Sequence, residues 1–266
     1  MSWTHELFII DNIKSVDFNV GECILIRTDS SIDRQISSQD IVEEKIAFKD
    51  IPYYYRTEKN PIEFNMKFSL LERKMTEDIM FKLNTIFLKS KYIPFQSCDY
   101  MGVMFYVISA SVNIITYGSY KGWIEINMRT SAPYGFAIPK VITRDFSTLT
   151  IPETFIIYSK FNVMHSKYNQ YLYFPKMSID MKGNATSITL TNISYGGNVF
   201  GFTGLTVGES LFIDNDSEEI ISSTGNPRIN KMINNFEWFA LTAGKNIITI
   251  SSPALLQILV QYPIYV

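Results

Sequence analysis

The second half of the chain consists of short apolar runs separated by turn residues, and this pattern limits the possible folds more than any other feature of the sequence. Glycine, asparagine and aspartate interrupt the runs, for example at 182–184, 196–197 and 214–216. Short strands at such spacing, without a helical stretch, predict an antiparallel β-sandwich. The predicted strands are 171–181, 187–193, 198–201, 211–214, 219–222, 236–241, 246–251 and 255–262.

The first half combines strands with one helix. Residues 76–88 have the helical pattern: Thr76 can cap the start, and Ile79, Leu83 and Phe87 recur every fourth residue on one face. We expect this face to pack on the sheet of the same domain. The strands predicted around the helix are 7–10, 23–26, 62–68, 102–112 and 122–129.

A break in the strand pattern predicts a domain boundary near the middle of the chain. Pro133 and Gly135 interrupt the pattern where the first half ends. We therefore expect two domains, 1–132 and 133–266, and a mainly β fold class. Residues 137–170 are predicted to be an irregular connection.

Charge and hydropathy argue against several classes of partner. The net charge is −2, with 15 Lys/Arg against 17 Asp/Glu in residues 1–132 and 9 against 9 in residues 133–266. No face can be expected to neutralise many phosphates, so no specific nucleic acid binding is predicted. No apolar run approaches the ~18 residues that a spanning helix needs, so no membrane insertion is expected. The first residues lack an export signal, which favours synthesis in a cytoplasm.

The residues that commonly perform catalysis or bind metals are scarce. His5 and His165 are the two histidines, and neither lies in a motif typical of catalytic triads. Cys23 and Cys98 are far apart in sequence; two reduced thiols are favoured over a disulfide, which stays an alternative. Metal-binding and phosphate-binding motifs are absent from the sequence. The sequence therefore predicts no enzyme, no catalytic residue, no metal site and no cofactor.

Three segments are weaker candidates for a site. Residues 214–219 contain four carboxylates and one asparagine that could offer oxygen ligands to calcium, but a solvated hairpin turn is the favoured interpretation. Asp180 and Glu237 could act as the carboxylate pair of a glycosidase, although outward-facing strand residues are the simpler interpretation. The aromatic residues of 168–174 could stack on sugar rings, but core or interface positions are more common for such residues.

A polar segment at 28–40 is predicted to be an exposed loop or arm. Apart from Ile32 and Ile36, it offers little apolar surface for a core. Such a segment cannot offset its ordering entropy within a single subunit. We favour an arm that orders against a neighbouring subunit or another protein partner through Ile32 and Ile36, and a mobile loop without a role is the alternative.

The order of motifs along the chain resembles a known family. The first half contains DIPY at 50–53, NPIEF at 60–64, the helix, GWIEINM at 122–128 and SAPY at 131–134. The second half contains SITLTN at 187–192, LFID at 211–214 and FEWFALTAGKNIITI at 236–250. In this order they resemble the distal tail proteins of siphophages.

The resemblance implies a fold and a structural role. The fold would be an N-terminal β-sandwich, called the belt domain, with one helix, followed by a galectin-like antiparallel β-sandwich. The implied role is a homo-hexameric ring in the virion, a baseplate hub at the distal end of the tail tube. Its implied partners are the major tail tube protein, the tail-associated baseplate protein, the tape measure protein and receptor-binding proteins.

Two other functions stay open on the sequence. The predicted sandwich and its tyrosine-rich segments also fit a carbohydrate-binding host-adhesion module. An enzyme such as a glycan hydrolase is the third hypothesis, because sequence patterns do not exclude a pair of carboxylates across a cleft. The mass in solution distinguishes the hub from the adhesion module, since a hub forms a ring and an adhesion module can act as a monomer.

Overall fold

The computed structural model describes residues 8–15, 23–25, 38–70, 77–97, 101–117, 121–233 and 237–265 of the chain. The chain forms two compact units, Met1–Ala137 with Tyr265–Val266, and Ile138–Ile264. The mainly β fold class, with one α-helix in the described part, is confirmed. The predicted division into two domains, 1–132 and 133–266, stays a prediction.

The first unit contains an antiparallel sheet, a helix and a separate two-stranded hairpin. Its elements are β1 (Phe8–Ile10), β2 (Ile13–Lys14), β3 (Cys23–Leu25), β4 (Gln39–Glu44), β5 (Tyr53–Lys59), β6 (Glu63–Leu70), α1 (Glu77–Phe87), β7 (Ile93–Ser97), β8 (Val103–Tyr117), β9 (Lys121–Thr130) and β10 (Gly135–Ala137). The sheet has the order β2-β1-β7-β8-β9-β6-β3, and β10 also pairs with β8.

Alternating burial explains this sheet. In β6, Phe64 and Met66 are buried while Glu63 and Asn65 are exposed, as the period of two in the sequence predicts. A register shift between Ser109 and Ser111 interrupts the long β8–β9 pairing. Such a bulge bends a strand and increases its local twist.

The helix lies where the apolar periodicity predicts it. Leu83 and Phe87 are each only 1% exposed and belong to the same buried cluster as Phe64, Phe95 and Phe105. This confirms the predicted packing for these two residues. Thr76 and the side chain of Ile79 lie outside the described residues.

The second unit is a β-sandwich. Its strands are β11 (Lys140–Asp145), β12 (Glu153–Ser159), β13 (Leu172–Tyr173), β14 (Lys176–Met181), β15 (Ile188–Asn192), β16 (Asn198–Phe202), β17 (Ser210–Asp214), β18 (Glu219–Ser222), β19 (Leu241–Thr242), β20 (Gly244–Ile250), β21 (Ala254–Val260) and β22 (Pro263–Ile264). In the described residues one sheet has the order β11-β21-β14-β17-β18 and the other β12-β20-β15-β16. Alternate residues of both sheets are buried, which gives the two inner faces of a sandwich.

The predicted irregular connection at 137–170 is wrong in part, because it contains β11 and β12. β11 pairs only with β21 at a sheet edge, and none of its residues is fully buried, so the sequence lacks an apolar alternation there. In β12 the outward positions carry Ile156 and Tyr158, which hides the alternation of buried Phe155 and Ile157. The sequence pattern therefore did not predict these two edge strands.

The predicted strand at 236–241 is also wrong over most of its described length. Residues 237–240 are not in a strand, although Trp238, Phe239 and Ala240 are buried. Side-chain amides satisfy this backbone: Phe239 N donates to Asn215 Oδ1 at 3.1 Å, and Ala240 O accepts from Asn192 Nδ2 at 2.9 Å. Buried backbone groups need partners, but the partners need not be strands.

The predicted strand at 171–181 is divided into β13 and β14 around Pro175. Proline has no backbone N–H to donate to a neighbouring strand. The carbonyl of Pro175 instead accepts a hydrogen bond from Asn215 Nδ2 at 2.6 Å. The break between the two strands therefore follows from the residue that occupies it.

Candidate functional sites

The hairpin formed by β4 and β5 is an exposed apolar surface in the first unit. Every residue of the two strands is exposed except Val42, which is partly buried. The strands pair only with each other in the described residues. A two-stranded hairpin is marginally stable in water without a further surface to pack on. This hairpin is therefore a candidate contact surface.

Large apolar side chains concentrate on this hairpin and its loop. Phe48 at the tip is fully exposed and has a backbone φ of 66°, and Ile51 is 80% exposed. The other exposed large side chains here are Ile41, Ile46, Tyr53, Tyr54 and Tyr55. Large exposed apolar side chains grouped on one hairpin make it a candidate for protein association.

Polar contacts hold the base of the hairpin in place. Asn60 Nδ2 donates to Asp40 Oδ2 at 2.9 Å, and Asn60 N donates to Ser38 O at 2.9 Å. Lys59 Nζ donates to the Tyr265 hydroxyl at 2.5 Å and lies 4.1 Å from the centroid of that ring. The base is therefore fixed, while the loop between the strands carries the exposed apolar residues.

The polar arm predicted at 28–40 lies mostly outside the described residues, as do Ile32 and Ile36. Its described end, 38–40, leads into β4. The sequence analysis did not recognise this hairpin. The apolar and polar residues of 39–44 do not alternate, because no face of the strand is buried.

The second unit has an open cleft of about 410 Å³ beside the start of β16. Its aromatic lining residues are Tyr168, Phe174, Tyr195 and Trp238, and the remaining lining residues are Gly196, Gly197, Asn198, Val199 and Glu237. The rings of Tyr168 and Phe174 stack, with centroids 5.2 Å apart and an interplanar angle of 28°. Tyr168 is 39% exposed, whereas Phe174 and Trp238 are nearly buried.

Asn198 and Glu237 are polar residues that line the same cleft. Asn198 Nδ2 donates to Glu237 Oε2 at 2.9 Å, which fixes the orientation of the amide. Asn198 Oδ1 is buried and has no hydrogen-bond partner in the described part of the chain. A buried acceptor without a partner costs roughly 1–3 kcal/mol and needs an explanation.

The proposed glycosidase pair is not brought together. Glu237 is exposed at the cleft and does not lie on a strand, contrary to the sequence prediction. Asp180 lies on β14 between buried Ile179 and Met181, so its side chain points to the outer face of that sheet, and it does not line the cleft. The outward-facing interpretation therefore holds for Asp180.

Three of the four carboxylates of 214–219 contact other side chains of the protein: Asp214 contacts Lys176, Asp216 contacts His165 and Glu218 contacts Lys167. Asp214 Oδ1 accepts from the N–H groups of Asp216 and Ser217, and its other oxygen lies 2.6 Å from Lys176 Nζ. Burial raises the pKa of Asp214, but the bonds from Lys176 and Ser217 outweigh it and lower that pKa. These contacts are those of a turn between β17 and β18.

The other predicted residues are distributed as follows. His165 Nε2 lies 3.2 Å from Asp216 Oδ1, and its ring contacts Tyr168 and Phe174. His5, Cys98 and the side chain of Cys23 lie outside the described residues. In the part of the chain that is described, no three His, Cys, Asp or Glu side chains are grouped to hold a metal. No described helix has the length and hydropathy to cross a membrane.

A buried ion pair, unrecognised from the sequence, joins the residue before β17 to the segment after β18. Arg228 Nε and Nη2 donate to Glu209 Oε1 and Oε2 at 2.6 and 2.9 Å. Glu209 also accepts from the Ser222 hydroxyl and from Thr206 N. Burial raises the pKa of Glu209, but these four hydrogen bonds more than offset that and lower the pKa to about 2. Because both side chains are buried and bonded to each other, we interpret this pair as a structural contact.

Two protein-family models match consecutive parts of the chain. The "Phage tail protein N-terminal domain" matches residues 4–132, and the "Phage tail C-terminal domain" matches residues 134–260. These matches identify a structural protein of the phage tail. No curated protein sequence matches the chain.

Solved structures share the fold. The SPP1 Dit protein, described as a paradigm of the hub adsorption apparatus in phages that infect Gram-positive bacteria, matches with a TM-score of 0.65 and 11% identity, over 96% of this chain and 98% of that one. Two structures of the phage p2 baseplate in its activated conformation also match, each at 12% identity. The structure with Ca has a TM-score of 0.48 over 95% of this chain and 97% of that chain. The structure with Sr has a TM-score of 0.49 over 96% of this chain and 97% of that chain. The resemblance to distal tail proteins is thus confirmed for the fold.

The chain belongs to the phage tail protein family that these N-terminal and C-terminal domains define. As a tail protein it is a component of the virion.

Proposed function

We propose that this protein is a non-enzymatic, ring-forming hub at the distal end of the tail tube. The observation that carries the proposal is the similarity of fold with the SPP1 Dit protein over nearly the whole of both chains. In this role a homo-hexamer joins the major tail tube protein to the tail-associated baseplate protein and leaves a passage for the tape measure protein. The ring assembles in the cytoplasm of the host, and the second unit, a galectin-like sandwich, carries receptor-binding proteins.

The exposed hairpin supports the ring. A closed ring of identical subunits uses a heterologous interface, in which one surface meets a different surface of the next copy. The apolar loop with Phe48 and Ile51 offers the first of these surfaces. Burying it between subunits removes apolar area from water and stabilises the assembly.

Mass in solution tests the ring. Light scattering after size exclusion should give about 180 kDa, six times the chain mass of 30.6 kDa. A monomer at micromolar concentration would contradict the ring.

A pair of variants tests the hairpin separately. Phe48→Asp combined with Ile51→Asp should yield folded monomers, because both side chains are exposed and contribute little to the fold of one subunit. The control is Ile221→Asp, which places a single carboxylate on an exposed isoleucine of β18 and should leave the ring intact. A ring that survives the hairpin variant would assign the interface to another surface.

A further inference from the structure

The first unit has a second exposed apolar surface, at the C-terminal end of α1 and apart from the hairpin. Leu88 directly follows the helix, and its N–H donates to Asn84 O at 2.8 Å, so the helical hydrogen bonding continues to this residue. Leu88, Tyr92 and Ile13 are 52%, 43% and 39% exposed. We call these three residues the α1-end patch.

Two contacts bring the segments of the α1-end patch together. Lys89 Nζ lies 3.6 Å from Asp11 Oδ2, in the turn between β1 and β2. Asp11 N donates to Pro94 O at 2.9 Å, two residues beyond Tyr92. Ile13 begins β2 directly after that turn. The end of the helix, the start of β7 and the β1–β2 turn therefore lie side by side.

The α1-end patch and the tip of the β4–β5 hairpin carry opposite charge. Residues 11–14 and 88–92, which contain the patch, have three lysines against one carboxylate. Lys14 and Lys91 are both exposed. Residues 43–51 of the hairpin have three carboxylates against two lysines, and Asp50 is exposed next to Ile51. Surfaces of opposite charge attract each other and fix the register of an interface.

The two surfaces differ, as the interface of a closed ring requires, since each copy then offers one surface to each neighbour. The exposed large apolar side chains that are described in the first unit outside the hairpin and its loop are Ile13, Phe81, Leu88, Tyr92 and Met101. Phe81 lies seven residues before Leu88, about 10 Å along the helix and close to its acidic start. Met101 follows β7, whereas Tyr92 precedes it. The α1-end patch thus groups the remaining three.

We propose that the α1-end patch receives the tip of the β4–β5 hairpin from the neighbouring copy of this chain. Phe48 and Ile51 pack against Leu88 and Tyr92, and the carboxylate of Asp50 lies among the lysines that surround the patch. This inference rests on the proposed ring and assigns the second of its two surfaces.

Site-specific photo-crosslinking of the full chain tests this docking. With p-benzoylphenylalanine in place of Phe48, illumination of the assembled protein should give a covalent dimer. Mass spectrometry of its peptides should map the crosslink to residues 88–92 or 11–14 of another copy. The control carries the same amino acid in place of Phe212, which is 45% exposed on β17, and should not link to these segments.

A charge exchange tests the same contact without a crosslink. Asp50→Lys alone, and Lys14→Glu combined with Lys91→Glu, should each raise the protein concentration at which the ring dissociates by about tenfold. All three substitutions together should recover most of the wild-type affinity, because opposite charges face each other again. Phe81→Asp changes an exposed residue of α1 outside the patch and should dissociate as wild type does.

The outcomes separate this docking from the ring itself. A ring of the expected mass whose crosslinks from position 48 map outside the α1-end patch would overturn the docking and leave the hub in place. A charge exchange that recovers no affinity would do the same. A monomer at micromolar concentration would overturn both, since the docking requires a neighbouring copy.

Discussion

Replacing Glu209 with glutamine tests the buried ion pair most directly. The substitution keeps the shape of the side chain but leaves the guanidinium of Arg228, which is 8% exposed, without its counter-charge. The pKa of Glu209 falls from 4.5 to about 2 in the folded protein. At 1.36 kcal/mol per pKa unit this corresponds to about 3 kcal/mol at neutral pH, in line with the roughly 3–5 kcal/mol lost when one partner of a buried pair is removed.

The pH dependence follows from the direction of the shift. Because folding lowers the pKa of Glu209, the stabilisation is fully present above the unfolded pKa of 4.5 and is lost as the pH falls towards about 2. Wild type and Glu209→Gln should therefore differ most at neutral pH and converge in acid.

Urea denaturation followed by tryptophan fluorescence, fitted with one transition for each unit, gives the required free energies of unfolding. The double variant Glu209→Gln with Arg228→Met should lose less stability than the single variant, because no buried charge stays unpaired. Glu218→Gln breaks the exposed pair with Lys167 and should leave the midpoint close to that of wild type. A loss below about 1 kcal/mol for Glu209→Gln, or a loss that persists at pH 2, would refute the reasoning.

Three further predictions concern the first unit and the boundary. Leu83→Asp should destabilise the first unit by several kcal/mol, because it buries an unpaired carboxylate. Phe81→Asp, on the exposed face of the same helix, should melt at the wild-type temperature. Equal melting temperatures for the two variants would show that Leu83 does not lie on the buried face. Fragments 1–132 and 133–266 should each melt cooperatively in calorimetry, and a fragment without a transition would place the boundary elsewhere. Deletion of 29–38 should leave a folded monomer that no longer forms the ring. Unchanged oligomers would show that this segment is a loop without a role in assembly.

Local patterns in the sequence determined much of the fold. Apolar residues at every fourth position, including Leu83 and Phe87, predicted the helix and its buried face, because both features depend on residues within a few turns. The alternation at 62–68 and the turn residues of the second half predicted the central strands for the same reason. Strands at sheet edges, such as β11 and β12, were missed because exposure on both faces, or apolar residues on the outer face, removes the alternation.

Other features were decided only when distant residues met in space. The backbone at 237–240 resembles a strand in sequence, but its partners are the amides of Asn192 and Asn215, which the chain pattern does not connect to it. The partner of Glu209 is 19 residues away in the chain, and no spacing rule links them.

The cleft is formed in the same way from three separate segments that carry Tyr168, Asn198 and Glu237. The sequence identified Tyr168 and Glu237 as candidates for unrelated reasons, and it did not identify Asn198. The sequence thus determines which side chains are apolar, aromatic or charged and which local conformation most short segments adopt. Which polar groups lose water and which partners they then find depends on burial, and burial is a property of the assembled tertiary structure.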